Sequence, residues 1–266
     1  MEINSLENPK IKKIIKLRKA KERNKQNFII IEGHRELLLA LKAGIKVKTI
    51  FYCASFNANK EKSLPTEIKN NLILDTSPAV FKKISYRENP DGFLVLAEPK
   101  EIKLPQIKLS PNPLLIILES VEKPGNLGAI LRTADAAGID GIIINNPKTD
   151  IYNPNVIRAS QGTVFTSQIA LASIKETKAW LKDNNIISLA ATPRAQNAYT
   201  VADLSRPLAI VMGAEDKGLS QEWLLPAQDK IRIPMKGKID SLNVSASAAI
   251  IIFESLRQRA GLTKIK

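Results

Sequence analysis

One cysteine, Cys53, and one histidine, His34, are all that a chain of 266 residues offers of those two types. A disulfide framework and a Cys/His zinc site are thereby excluded, no metal is expected, and Ser-His-Asp or Cys-His machinery is disfavoured. His34 stands in EGHRELLLAL, where a helical pattern begins, and reads as a capping or surface residue. Cys53 follows a short apolar run and is expected to be a buried small hydrophobe. No stretch of eighteen apolar residues occurs, and the opening MEINSLENPKIKK lacks an apolar signal core. The sequence therefore predicts a cytoplasmic protein with no membrane partner.

What is present is an ordinary globular composition, 44% hydrophobic with mixed charges, and enough chain for one large or two ordinary domains. The charge is uneven. Residues 1–112 hold 22 Lys and Arg against 12 Asp and Glu, whereas residues 113–266 hold 18 against 14. A basic excess gathered in one part suggests a polyanionic partner, most simply nucleic acid.

Between Lys10 and Lys25 nine basic residues accompany a single acid, Glu22. Ile11, Ile14, Ile15 and Arg18 follow helical spacing, so the stretch predicts one basic amphipathic helix with a narrow apolar seam. The seam lacks Trp and Phe anchors, which favours an RNA backbone over a membrane surface. Strands are expected at 28–31, 47–52, 72–74 and 92–97, with helices at 32–43 and 78–85. This is a compact α/β module without a phosphate loop, metal cluster or paired carboxylates, and it reads as a binding module. Residues 98–113 carry four prolines and no sustained periodicity, as in a semi-rigid linker. The expected division is thus 1–97, a linker at 98–113, and a larger domain at 114–266.

In that larger domain strands are expected at 114–118, 141–145, 164–170, 186–191, 208–212 and 230–233, with helices at 154–161, 174–184 and 220–223 between most of them. The fold class is α/β, a mostly parallel sheet with helices on both faces. Beyond the first strand, Asn126 reads as an N-cap and Gly138 as a helix stop. Leu127, Ile130, Leu131 and Ala134 share one face of the helix between them, and Arg132 falls nearly opposite with Gly125 and Gly128. By geometry alone Arg132 reads equally as a solvent-facing arginine or as a ligand contact. No GxGxxG follows the first strand, which disfavours a dinucleotide site, and Leu219 stands where a Walker A loop needs lysine. Near the end, Leu242, Ala246, Ala249, Phe253 and Leu256 make one apolar stripe. Val244, Ala248, Ile251 and Ile252 cover much of the rest, so the helix is expected to be buried on two sides. Taken alone, Glu215 could be plain turn charge, and Ser241 and Asn243 could be helix caps.

Three segments in order, NLGAILRTADAAG from Asn126, VMGAEDKGLS from Val211 and IPMKGKIDSLNVSASAA from Ile233, resemble the signatures of the SpoU (TrmH-like) class of SPOUT RNA 2′-O-ribose methyltransferases. NSLENPKIKKIIKL followed by FIIIEGHREL resembles the small α/β substrate-binding domain of many members. The resemblance implies a deep trefoil knot in the C-terminal domain, S-adenosylmethionine (AdoMet) as cofactor, a homodimer, and structured RNA as substrate. Ribosomal RNA is favoured over tRNA, and a catalytically inactive RNA-binding assembly factor is the alternative from another class. Carried over by position, Arg132, Asn126, Glu215, Ser241 and Asn243 would serve catalysis. Gly213, Ile233 and Leu242 would hold the cofactor, with Leu189 and Ala191 lining the same pocket. Arg132, Arg158 and the basic residues Lys13, Lys16, Arg18 and Arg23 would meet RNA. Asp216 departs from the family, where glycine is common.

Overall fold

The computed structural model describes residues 2–57, 68, 72–225 and 229–261. The chain divides into two compact units, one of Met1–Lys100 with Asp150–Thr166, the other of Glu101–Thr149 with Ser167–Lys266.

The first unit holds α1 (Pro9–Lys16), α2 (Ala20–Gln26), β1 (Ile29–Glu32), α3 (His34–Lys42), β2 (Val47–Tyr52), β3 (Ile73–Asp75), α4 (Pro78–Ile84) and β4 (Phe93–Ala97). Its sheet runs β1-β4-β2-β3, antiparallel except where β2 pairs with β3. Ile11, Ile14 and Leu17 enter a core with Phe51, Phe81 and Leu94, so the narrow seam read from the sequence is real. The single basic helix is not: it breaks between α1 and α2. Arg23 turns inward and donates from Nη1 to Leu17 O and Arg18 O, both at 2.9 Å. Its Nε and Nη2 reach Asp150 Oδ2 at 2.8 and 2.6 Å. These bonds satisfy the carbonyls that a helix end leaves open. Asp150 precedes α6 (Pro154–Ala159) and α7 (Thr163–Thr166), which pack on β1 and α3 within this unit.

A strand was expected at 164–170. Instead α7 comes first and only Ile169–Leu171 form a strand, β7. The Thr163 and Thr166 hydroxyls donate back to Ser160 O and Thr163 O, at 2.9 and 3.2 Å. Such local side-chain bonds favour a turn over an extended ladder.

The second unit is built on β5 (Leu114–Glu119), β6 (Gly141–Asn145), β7, β8 (Ile187–Ala191), β9 (Asn197–Ala198), β10 (Leu208–Met212) and β11 (Asp229–Arg232). Their order is β7-β6-β5-β10-β8-β11-β9, and every pairing is parallel. β9 has two residues, too short to show a period in sequence. β5, β6 and β10 are buried along their whole length, as strands covered on both faces must be. Helices α8 (Ile174–Asp183) and α9 (Gln221–Leu224) contribute Ile174, Leu181 and Trp223 to one core. α5 (Pro124–Ala137) and α10 (Val244–Arg259) pack on each other. The proline-rich segment expected as a linker instead forms a 3-10 turn at Leu104–Gln106, belongs to the second unit from Glu101 on, and buries Leu104 and Ile107 in the same core as α8 and α9.

Two expectations about helices change. α5 starts at Pro124 with Lys123 as its N-cap, so Asn126 lies inside the first turn and its side chain is spent elsewhere. Gly138 does end it, at φ 62°. Gly125 is open, but Gly128 is buried, so the glycines do not form one bare strip under Arg132. On α10 the buried residues are Val244, Ala248, Ile251, Ile252 and Ser255, and Phe253 is 49% exposed. The stripe of Leu242, Ala246, Ala249, Phe253 and Leu256 is thus the more open side. The broad Val/Ile side packs inward, and Ser255 Oγ donates to Leu204 O at 2.8 Å to satisfy the one polar group on it.

Candidate functional site

Because the sheet is parallel, all its strands end at one edge. β5, β10, β8 and β11 are neighbours, so the segments after Glu119, Met212, Ala191 and Arg232 leave that edge side by side. In open α/β sheets this edge, where successive strands diverge, is where ligands bind.

The loop after β10 is a tight closed turn. Ala214 N donates to Gly218 O at 3.1 Å and Gly218 N to Ala214 O at 3.0 Å. A Cβ on Gly213 would lie 2.3 Å from Gly218 C and 2.4 Å from Leu219 N, so only glycine lets the loop fold back there. The loop is pinned at its far end by Glu119, 4% exposed, whose Oε2 accepts the Ser220 N–H at 2.9 Å.

At the near end Glu215 reaches the start of α5. Its Oε1 accepts the Asn126 amide at 2.6 Å and its Oε2 the Glu122 N–H at 3.3 Å. Asn126 Oδ1 accepts from Asn243 Nδ2 at 3.0 Å, and Asn243 Oδ1 accepts from Ser245 N and Oγ, at 2.9 and 2.6 Å. Three loops far apart in sequence are thereby tied by one chain of hydrogen bonds in which every amide has a defined direction. Asn243 also caps α10, so capping and site-building coincide.

Burial pushes the Glu215 carboxyl up, but the Asn126 amide and the backbone N–H groups at 215, 122 and 123 outweigh it. They hold the group below its ordinary value. A group so held contributes stability above the unfolded carboxylate value, about 4.3, and loses it as pH falls through the lower folded value. Wild type should melt above Glu215→Gln at neutral pH, and the two should converge as the pH drops below about 4. Equal melting temperatures at pH 7 would show that this clamp is idle.

Residues 234–242, after β11, make no backbone hydrogen bond among the described residues. Their amides and carbonyls, with the exposed Ile239 and the 37% exposed Leu242, offer a nucleoside both base-edge partners and apolar cover. Gly213 and Ile233 are half-buried beside these loops. Leu189 does not belong with them. It is 1% exposed inside β8, and sheet packing consumes its side chain; Ala191, the last residue of β8, is half-buried at the edge. Arg132 is exposed and makes no hydrogen bond or ion pair among the described residues. It lies six residues beyond Asn126, about 9 Å along the helix axis at 1.5 Å per residue. Ser241 is exposed and stands outside the hydrogen-bonded chain.

Of the basic residues assigned to RNA, Arg23 is the correction: it is 3% exposed and tied to Asp150. Arg18 donates to Lys83 O and Ser85 O at 2.7 and 3.0 Å. Lys13 lies 3.8 Å from the Phe28 ring centroid, whereas Lys16 and Arg158 are exposed. No group of three or more His, Cys, Asp or Glu could hold a metal among the described residues. Glu119 and Ser245 join this hydrogen-bonded system as well. Glu119 was visible as a charge closing the apolar run LLIILE, and Ser245 as a hydroxyl two residues past a helix cap.

Residues 113–253 match the model of the SpoU rRNA methylase family. The chain belongs to that family. Residues 8–95 match the MRM3-like substrate binding domain. The chain is similar to a solved RNA 2′-O ribose methyltransferase, with 41% identity, TM-score 0.82, and coverage of 98% of this chain and all of that one. An AdoMet-bound rRNA methyltransferase of Sinorhizobium meliloti is 32% identical, with TM-score 0.87 over 97% of this chain and 98% of that one. The Bacillus subtilis 23S rRNA (guanosine(2553)-2′-O)-methyltransferase RlmP is 27% identical over 95% of this chain and 98% of its own length. The three segments that the hydrogen-bonded chain joins, around Asn126, Glu215 and Asn243, all fall within the SpoU match.

Proposed function

We propose that this SpoU family chain is an AdoMet-dependent RNA 2′-O-ribose methyltransferase, acting on ribosomal RNA in preference to tRNA. The observation that carries the reading is the chain from Glu215 through Asn126 to Asn243, which assembles three loops beside the open backbone of 234–242 at the sheet edge. The cofactor supplies a sulfonium-borne methyl group: the ribose 2′-oxygen forms the new bond to carbon, the carbon–sulfur bond breaks, and the 2′-proton leaves to phosphate or water.

The protein's part is to position and to stabilise charge. Gly213, Ile233, Leu242 and the edge around Ala191 hold the nucleoside of the cofactor. Arg132, unpaired among the described residues and permanently charged, grips a phosphate next to the target ribose and steadies the developing alkoxide. Glu215 already accepts several donors and is held ionised, so it serves as the anchor joining the loop to α5 and not as the general base. Ser241, exposed and next in sequence to Leu242, would meet the substrate from the same segment.

The reading extends to a trefoil-knotted C-terminal domain, a cytoplasmic location, and a homodimer formed through α5 and the open side of α10, where Phe253 is exposed. No helix among the described residues is long and apolar enough to cross a membrane. A second copy packed there would bring another Arg132 to the site. Light scattering that gave the mass of a single chain would remove that part.

For the function itself, calorimetric titration with AdoMet should show saturable one-site binding, and ribose-methylation mapping should show one ribosomal position lost when the gene is removed. Absence of any AdoMet binding would leave the assembly-factor reading instead.

A further inference from the structure

A cavity of about 770 Å³ opens in the unit formed by Met1–Lys100 and Asp150–Thr166, and nothing above assigns it a role. Its volume falls in the range of roughly 300–1,000 Å³ typical of small-molecule clefts. Its lining includes Arg35, Arg87, Arg158, Tyr86, Glu88 and Asn89. Arg87 is committed, with Nη2 at 2.6 Å from Glu36 Oε1. Arg35 and Arg158 are exposed, and their side chains make no hydrogen bond or ion pair among the described residues. They come from sequence positions more than a hundred residues apart, one at the start of α3 and the other on α6.

Tyr86 is the more telling residue. Its hydroxyl is buried and has no hydrogen-bond partner among the described residues, so what the half-exposed residue can offer a ligand is its ring. Burial pushes the phenol up to about 12, with Arg23 and Arg18 pulling less strongly the other way, so the ring stays neutral. Arg18 lies 5.2 Å from the ring centroid and holds the ring in place.

A bare anion is a poor match for this lining, because Glu88 stands among the arginines. A nucleotide suits it better: phosphate for the two free guanidiniums, and base-edge N–H groups for the Glu88 carboxylate and the Asn89 amide oxygen. Single-stranded RNA is commonly read in this way, base by base, with an aromatic ring and arginine planes as supports.

We propose that this cavity seats one unstacked nucleotide of the substrate RNA, with its phosphate between Arg35 and Arg158 and its base against Tyr86. The proposal rests on the RNA methyltransferase reading and names where that RNA is gripped outside the methyl-transfer site.

The test uses the full chain and a fluorescent single-stranded RNA, followed by anisotropy across a salt series, with thermal melting and AdoMet titration on the same samples. Tyr86→Ala should bind RNA about 5- to 10-fold more weakly, as expected for one lost stacking partner, whereas Tyr86→Phe, which keeps the ring, should bind as wild type and melt at the same or a higher temperature. Wild-type RNA affinity in a Tyr86→Ala variant that still binds AdoMet would overturn the proposal. Arg35→Ala combined with Arg158→Ala should lower the salt slope by about 1.4, the value for two phosphate contacts on a single strand. An unchanged slope would also overturn it. AdoMet affinity should be untouched in all variants. Wild type that binds RNA but not AdoMet would sink the methyltransferase reading while leaving the cavity test readable. Inorganic phosphate that displaced RNA as well as a nucleoside monophosphate at equal charge would mark a general anion site and overturn the nucleotide assignment.

Discussion

Arg132→Ala is expected to slow single-turnover methyl transfer by about 10²- to 10³-fold, the usual effect of deleting one donor to a developing oxyanion. AdoMet affinity should stay within about twofold, because the open backbone at 234–242 and the Gly213 turn lie on other elements. The expectation follows from what surrounds the residue. Leu127, Ile130, Leu131 and Ala134 bury the opposite side of α5, so removing an exposed side chain there leaves the helix packed. A guanidinium is not deprotonated in proteins, so its loss removes a fixed charge and a fork of donors, not a base. Arg132→Lys keeps the charge and loses the fork; turnover should fall by about tenfold, midway on a logarithmic scale. Full turnover in the lysine variant would refute a two-pronged phosphate grip. A flat pH profile in wild type between pH 7 and 9, set against a steep one in Arg132→Lys, would mean instead that the residue governs proton loss.

The second large effect lies in the loop itself. Gly213→Ala places a methyl group 2.3–2.5 Å from the backbone of Gly218 and Leu219. No side-chain rotation relieves a clash with main chain, so the Ala214–Gly218 pair must open or β10 must shift. The stability cost should reach about 3 kcal/mol, the upper end for overpacking. Because the displaced loop carries Glu215, the bond to Asn126 should fail with it, and AdoMet affinity should fall at least tenfold. Gly218→Ala is the informative partner: a Cβ there meets nothing within 4 Å, though its φ of 67° disfavours alanine. It should cost about 1 kcal/mol and preserve most of the binding. If Gly213→Ala bound AdoMet normally, the closed turn would not be the cofactor-binding form.

Sequence carried the parallel sheet well, because long buried strands such as LLIILE, GIIIN and LAIVM have no competing helical reading at their length. It also located the three loops, since glycine and small polar residues gather where strands end. It did not show what those loops do to one another. That Asn126 spends its amide on Glu215 instead of capping its helix depends on a contact 89 residues away in sequence. The same limit explains Arg23: within its own stretch it is one more surface charge, and only Asp150, 127 residues later, makes it a buried one. Leu189 failed for the opposite reason. Its neighbourhood was right, but two flanking strands turn its side chain into core. On α10, apolar spacing permitted either face to be the inner one, and the neighbouring α5 and β10 decided it.

Residues 150–166 sit in the middle of the SpoU match yet pack with the first hundred residues. The chain therefore passes from one unit to the other three times, after Lys100, Thr149 and Thr166. At Gly162, with φ 86°, even an added methyl would press on Leu39 and Glu36 of α3 at 3.0 and 3.2 Å. Two stretches of chain, separated by about fifty residues, must consequently change in step to stay fitted to each other. Grafting a foreign N-terminal hundred onto this scaffold at one breakpoint would pair new α3 and β1 surfaces with old α6 and α7. What this unit recognises is thus a jointly inherited property, not a cassette that one crossover can exchange.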